Sequence, residues 1–440
     1  MSYWAVGEHY RVLGESVRAR EYFTKAFQLR EHASEREKLF ITGVYYAGVT
    51  GELDKAAQTY QEATESYPRE LIGHIALGGA FARQGQWEKA VEIARQASRL
   101  VPDNHVPYAW LAMDTLALQR LDEARKIIHD AQARNMDYFD FHITSYALAF
   151  LGADSAAMAE QQQWFSDKGE FGLALASDTE AYGGHLGKAR ELTQRAVDSA
   201  VRADNKEPRA ILQAIAAQRE AAYGYPAEAR QSAAEALKLA PASQGAEGEA
   251  ALAFAMAGDT GRAESLAQDL GKRFPLHTQM QSLWLPAIQA QLALDRKNPA
   301  AALTALQAAL PIELGYIDFA NYTSCLYHVY VGGNAYLAAG QGSAAAAEFQ
   351  KILDHSGIVV NCWTGALAHL GLARAYALES GIGHVGADAL VRPAEQSSAL
   401  DPAALAKAKA AYQDFLTLWK DADPDIPILK EAKAEYAKLQ

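Results

Sequence analysis

The sequence predicts an all-α solenoid, a stack of helical hairpins closed by one capping helix. Three observations carry this expectation. The chain has 440 residues, 50% apolar and 21% charged, which is long for one globular core and leaves several domains or a repeat array. Alanine recurs at helical spacing, while Gly, Pro and β-branched residues form no alternating, strand-like runs. One stretch, 71–104 (LIGHIALGGAFARQGQWEKAVEIARQASRLVPDN), reads as a complete hairpin whose signature returns along the chain.

In that stretch the first helix is apolar at Leu77, Ala80 and Phe81, and Gly78 lets a neighbouring backbone come close. Gly85 stands where a helix should end in a left-handed residue. The second helix starts near Trp87, carries small Ala90, Ala94 and Ala97 on one face, and Pro102 forbids continuation. This order matches the tetratricopeptide (TPR) unit of roughly 34 residues.

The remaining units are read in chain order. The first, 3–31, has Gly7 and Tyr10, a turn at Gly14, then Ala19, Phe23 and Ala26. The second, 37–68, turns at Gly51 and continues through Ala56, Tyr60 and Ala63 to Pro68. After the 71–104 unit, a fourth holds register at Tyr108, Ala112, Ala124, Ile128 and Ala131, with Gln119 in place of the turn glycine. Over 135–172 the pattern degrades: Gly152 marks a turn, and the second helix is Gln-rich and ends in Trp164-Phe165. Register returns on Gly184, Ala189 and Ala196, then on Gly224, Ala229, Ala233 and Ala236, then on Gly258, Ala263, Ala267 and Leu270. A weaker unit is built on Trp284, Ala290, Ala302 and Leu306; the next has Gly333, Tyr336, Gly340, Ala345 and Phe349. The last begins at Leu367, Leu370 and Gly371, swells at its turn, and resumes at Ala408, Tyr412 and Phe415. The closing helix alternates Lys and Glu on a solvent face, and Asp425-Ile426-Pro427 offers it an N-cap carboxylate and a first-turn proline.

About eleven such hairpins bury a continuous core that none could form alone. The expected product is a right-handed TPR solenoid whose first helices line a concave face. Residues 1–134 form an N-terminal array and 135–172 a divergent repeat or joint. Residues 173–440 form a C-terminal array with an insert at 379–405 and a capping helix at 426–439.

The formal net charge of −12 argues against a nucleic-acid partner and against an anionic membrane surface. No apolar run reaches the roughly 18–20 residues a membrane span needs, so no direct membrane insertion by this segment is expected. Ser2, Tyr3 and Trp4 after Met1 do not make a signal peptide. Cys325 and Cys362 precede the first helices of consecutive repeats. Neighbouring helices lie about 8–10 Å apart, beyond the roughly 7 Å a disulfide spans, so buried free thiols are expected.

No constellation of catalytic or cofactor chemistry stands out, and the segment reads as non-enzymatic, with no cofactor and no metal. Residues 381–386 spell GxGxxG, but a helix precedes the motif and no kinase HRD or DFG occurs, so it reads as a turn insert. Asp421, Asp423 and Asp425 open like a calcium loop, yet Ile426 replaces the required Gly and Ala432 the bidentate Glu. No two of the twelve histidines lie three to five apart, which argues against local zinc spacing; His74, His142, His328 and His369 read as packing residues. An aromatic patch is more suggestive: Tyr316, Phe319, Tyr322, Tyr327, Tyr330 and Tyr336. Tyr327, Tyr330 and Asn334 fall at groove-facing positions of a first helix. Trp284 and Gln291 do so one repeat earlier, and Tyr45 near the N-terminus. These six are the expected ligand-binding residues, offering large contact area with polar tips.

Several stretches share a more specific wording: residues 368–378 (AHLGLARAYAL), 411–440 (AYQDFLTLWKDADPDIPILKEAKAEYAKLQ), 344–361 (AAAAEFQKILDHSGIVVN), 188–207 (KARELTQRAVDSAVRADNKE) and 34–56 (SEREKLFITGVYYAGVTGELDKA). In these the chain resembles the TPR tails of bacterial, especially acidobacterial, eukaryote-like serine/threonine protein kinases. That resemblance implies an extracytoplasmic sensor or interaction region behind a membrane span, binding a protein or peptide segment in its groove. It carries no kinase activity, because the kinase domain and span are absent, and the 379–405 insert departs from its short turns. The competing expectation is a free-standing cytoplasmic scaffold. Trp4 and Tyr10, uncapped by a polar helix, favour the tail.

Overall fold

The computed structural model describes residues 2–168, 170–202, 206–317, 324–381 and 401–440, and these form helices and turns with no strand among them. Eleven antiparallel hairpins follow one another among the described residues. They are α1 (Ser2–Val12) with α2 (Ser16–Gln28), α3 (Glu35–Tyr45) with α4 (Leu53–Ser66), and α5 (Leu71–Arg83) with α6 (Trp87–Leu100). Next come α7 (His105–Ala117) with α8 (Leu121–Gln132), α9 (Phe139–Leu151) with α10 (Ser155–Phe165), and α11 (Glu170–Tyr182) with α12 (Leu186–Arg202). Then α13 (Lys206–Tyr223) pairs with α14 (Pro226–Leu239), α15 (Gln244–Met256) with α16 (Thr260–Arg273), and α17 (Leu285–Asp295) with α18 (Pro299–Leu306). After α19 (Tyr327–Ala338) and α20 (Gly342–Asp354), a short α21 (Ser356–Val359) leads into α22 (Trp363–Glu379) and α23 (Pro402–Leu418), and α24 (Pro427–Ala437) closes the stack.

The first helix of each hairpin is followed by one left-handed residue. Eight are glycines, Gly14, Gly51, Gly85, Gly184, Gly224, Gly258, Gly340 and Gly381, with φ between 70° and 97°. The other three are Gln119, Ala153 and Lys297, at φ 61°, 52° and 57°. At nine of the eleven the amide after this residue donates to the carbonyl five residues back, as from Gln86 to Phe81 (2.9 Å) and from Asp259 to Phe254 (2.8 Å). This Schellman closure satisfies carbonyls that a helix end would leave bare. In the fifth hairpin the left-handed residue is Ala153, not Gly152. Asp154 caps α10 by accepting from the Ala157 amide at 3.0 Å, which puts the reversal one residue after the glycine.

Within a hairpin the two helices approach closely because small residues meet large ones. Ala56, Ala90, Ala124, Ala189, Ala229, Ala263, Ala302, Ala345 and Ala408, all early in second helices, are 0% exposed. Gly43 lies against the Tyr60 ring, and Gly333 and Gly371 grip Phe349 from two sides, leaving no room for a Cβ. Burying each such ring contributes about 1.5–3 kcal/mol.

The array winds tightly enough for successive superhelical turns to touch. The Thr278 amide donates to the Gly51 carbonyl (2.9 Å) and the Tyr316 amide to the Ala82 carbonyl (2.9 Å). Trp87 Nε1 donates to Leu314 O at 2.9 Å, Ser356 Oγ to Gln119 Oε1 at 3.0 Å and Trp419 Nε1 to Tyr182 O at 2.9 Å. Side-chain partners of this kind lie 182 to 237 residues apart, which is the length of one superhelical turn. Hairpin turns of the earlier coil rest against hairpin entries of the next. The first helices therefore face an interior, not an open trough.

Three expectations are corrected. Cys325 and Cys362 form a disulfide, with Cα atoms 5.4 Å apart. They sit in irregular segments that bend at Leu326 (φ 46°) and Val360 (φ 48°), so helix-to-helix spacing does not apply to them. Ser324 N to Ile358 O (3.0 Å) and Thr364 Oγ1 to Cys325 O (2.7 Å) draw the segments together. Asp425 does not cap the closing helix, whose N-cap is Ile426 without a side-chain bond. Instead Asp423 reaches the previous coil and accepts from the Gly187 amide of α12 at 2.6 Å. Finally, Glu435 of α24 points inward at 3% exposure, gripped by Arg374 at 2.9 and 3.0 Å and by the Tyr412 hydroxyl at 2.9 Å.

Candidate functional site

Winding leaves a lumen at the N-terminal end, a cavity of 630 Å³. One wall is built by α1, α2, α3, α5 and α7, the opposite wall by α11, α13 and α15 of the following coil. Trp4, Phe23, Phe40, Trp110, Phe171 and Ile211 make most of its surface apolar, and Arg11, Arg20, Arg83, Glu8, Glu170 and Glu207 supply its charge. Two of its carboxylates, those of Glu8 and Glu207, are engaged. Glu8 pairs with Arg11 at 2.8 Å. Glu207, 5% exposed, accepts from the Ser16 amide (2.7 Å), the Ser16 hydroxyl and the Ser243 hydroxyl (2.7 Å).

Two donors in this lining are not engaged. Gln244, 3% exposed, opens α15, and its Oε1 accepts from Arg20 Nη1 at 3.0 Å. A guanidinium can only donate, so the amide orientation is fixed and the NH2 group faces away from Arg20. That Nε2 and the indole Nε1 of Trp4 are buried without a hydrogen-bond partner among the described residues. Arg20 stacks over Phe274 at 5.0 Å; burial holds its pKa below the usual guanidinium value, with Glu207 opposing that shift.

The six residues expected to line a groove divide between places. Tyr45 is half-buried and stacked on Phe27, centroids 3.8 Å apart. Gln291 is half-buried and donates to Asp295 at 3.1 Å. Trp284 and Tyr327 are 2% and 3% exposed, their rings 5.7 Å apart, with Trp363 5.9 Å beyond Tyr327 and 5.0 Å from Tyr330. Asn334 hydrogen-bonds to Tyr330. Trp284, Tyr327, Tyr330 and Asn334 thus belong to one cluster inside the coil, away from the lumen. There Gln218 Nε2 donates to the Glu249 carboxyl and to the Glu249 carbonyl (3.0 Å), and Tyr327 stands beside the same carboxyl. Burial pushes Glu249 up to about 8, so it keeps its proton at neutral pH. Phe319 and Tyr322 of the aromatic patch, and all but the first residue of the GxGxxG stretch, lie outside the described residues.

Arg20, Gln244, Glu207 and Trp110 were not singled out from sequence. No local signal marks them, because Arg20 and Gln244 meet across 224 residues. His328, read as a packing residue, is 4% exposed, donates from Nε2 to Glu313 O (2.8 Å), and burial pushes it down to about 4. Among the described residues no group of three or more potential ligands gathers as a metal site, and no helix is long and apolar enough to cross a membrane.

Comparison with known proteins finds no matching family profile and no matching curated protein. Among solved structures, the P58(IPK) TPR domain aligns at 15% identity over 92% of this chain and 98% of its own, with a TM-score of 0.25. Yeast Tom70 aligns at 13% identity over 99% of this chain and 95% of its own, with a TM-score of 0.34. Neither superposition is close enough to carry an argument about function.

Proposed function

We propose that the chain is a non-catalytic TPR module that binds a protein or peptide segment, and that it serves as the extracytoplasmic sensor or interaction region of a membrane serine/threonine kinase. The observation that carries the binding reading is the lumen: first helices of four successive hairpins present an apolar wall, and Trp4 of that wall and Gln244 of the opposite one hold buried donors uncommitted among the described residues, the composition of a recognition site. The resemblance of residues 368–378 and 411–440 to kinase tails supports the signalling role. The Cys325–Cys362 bridge supports an oxidising compartment. A segment entering the lumen touches two successive coils, so its binding holds the superhelix wound and transmits a change of pitch along the stack.

Selection of a random peptide library on the immobilised protein tests the binding reading. Enriched peptides should bind wild type and lose at least about tenfold affinity to Trp110→Ala, which truncates an aromatic anchor worth roughly 2 kcal/mol. Enriched peptides that bind both proteins equally would move the site away from the lumen. The signalling role is tested on the gene: a frame continuing upstream of Met1 into an apolar span and kinase motifs supports it, and an in-frame stop there removes it.

A further inference from the structure

We infer that the lumen is also a small-molecule site, taking an amphipathic monocarboxylic acid whose carboxylate rests on Gln244 and Arg20 and whose apolar body lies along the aromatic wall. This goes beyond the protein-segment reading and does not depend on it.

The balance of donors and acceptors points to the head group. The uncommitted buried polar atoms of the lining are both donors, Gln244 Nε2 and Trp4 Nε1. Glu207 and Glu8 already accept from serines and from Arg11. A peptide backbone brings as many donors as acceptors, whereas a carboxylate brings acceptors alone. Arg20 makes no close ion pair to a described carboxylate; its guanidinium meets the Gln244 amide and the Phe274 ring, with Glu207 and Glu247 as more distant acidic neighbours. An anion at this point gains a charge-assisted bond to each group and compensates a half-buried guanidinium. The neighbouring Glu207 limits the charge to one, since a dianion would meet like charge at close range.

Size and position fit the rest of the molecule. A volume of 630 Å³ falls within the roughly 300–1,000 Å³ of small-molecule sites. Arg20 is on α2 and Gln244 on α15, in successive coils, so one small acid bridges them.

The test uses the full chain with decanoate, decanol and decylamine below their micelle concentrations, with affinity read by calorimetry. Wild type should bind decanoate at least about tenfold more tightly than decanol, the span of one charge-assisted bond, and decylamine more weakly still. Gln244→Glu keeps an oxygen for Arg20 but replaces the donor with a charged acceptor; it should lose at least about tenfold for decanoate and nothing for decanol. Trp4→Phe keeps the ring without its N–H and should lose several-fold, which guards against a misfolded Gln244 variant. Decanoate should also raise the urea midpoint of wild type, because a ligand bound only by the wound form stabilises it. Equal affinity for decanoate and decanol, unchanged decanoate binding by Gln244→Glu, or no decanoate binding would each overturn the assignment.

Discussion

The contact between coils can be tested at a single hydrogen atom. Gly357 lies in α21, its φ is not positive, and a Cβ there would overlap the Leu116 carbonyl and come 3.1 Å from Gln119 Nε2. Both neighbours belong to the preceding coil, and a backbone carbonyl cannot rotate away. In an isolated helix Gly→Ala is stabilising by up to about 1 kcal/mol. Forced against a packed backbone, the same methyl costs about 1–3 kcal/mol. Touching coils and separate coils therefore give opposite signs. The control is Gly261→Ala in α16, where nothing stands within 4 Å and φ is again not positive; it should be neutral or stabilising by up to about 1 kcal/mol. Heat is a poor probe: at about 2.1 cal/mol/K per residue, 440 residues move only about 1 °C per kcal/mol. Urea midpoints paired with small-angle scattering suit better, since loss of the contact should both destabilise and lengthen the particle. A Gly357→Ala protein as stable and as compact as wild type would refute the wound superhelix.

Other consequences follow from the same packing. Cys325→Ala with Cys362→Ala opens a loop of 37 residues, for which chain entropy gives a loss of about 4 kcal/mol; wild type in reductant should fall to the mutant's urea midpoint. Lys297→Gly and Ala153→Gly remove side chains from left-handed turn positions and should each stabilise by about 1 kcal/mol, measured the same way. Glu435→Ala strands Arg374, which is paired at 2.9 Å, and should cost about 3 kcal/mol, whereas Glu431→Ala, on the outer pair at 3.5 Å, should cost under about 1 kcal/mol. Glu249 holds its proton up to about pH 8 when folded and releases it near the ordinary glutamate value of 4.5 when unfolded. The unfolded chain then binds fewer protons between these values, so stability falls as pH rises through that window and levels off above it. Glu249→Gln should flatten that part of the wild-type stability–pH curve; an unchanged slope would place the titration elsewhere.

What the sequence determined was local. A hairpin needs a left-handed residue after its first helix, and Gly14, Gly51, Gly85 and Gly184 announce it because glycine alone takes that φ freely. Close approach of two helices needs a methyl-sized residue, and Ala56, Ala90 and Ala263 announce that. Eleven hairpins and a closing helix are therefore readable, each signal lying within one roughly 34-residue unit. Even the misplaced turn at Gly152 was off by a single residue. What the tertiary structure alone decided was everything that depends on pitch. The pitch is a sum of small rotations over several hairpins, and no one unit records it. It is the pitch that shuts Trp284 and Tyr327 inside the coil, carries Asp423 to the end of α12, and brings Gln244 to Arg20 across 224 residues. The concave face could be inferred from register, but its closure into a lumen with two waiting donors comes from coils meeting in space, where sequence distance has no meaning.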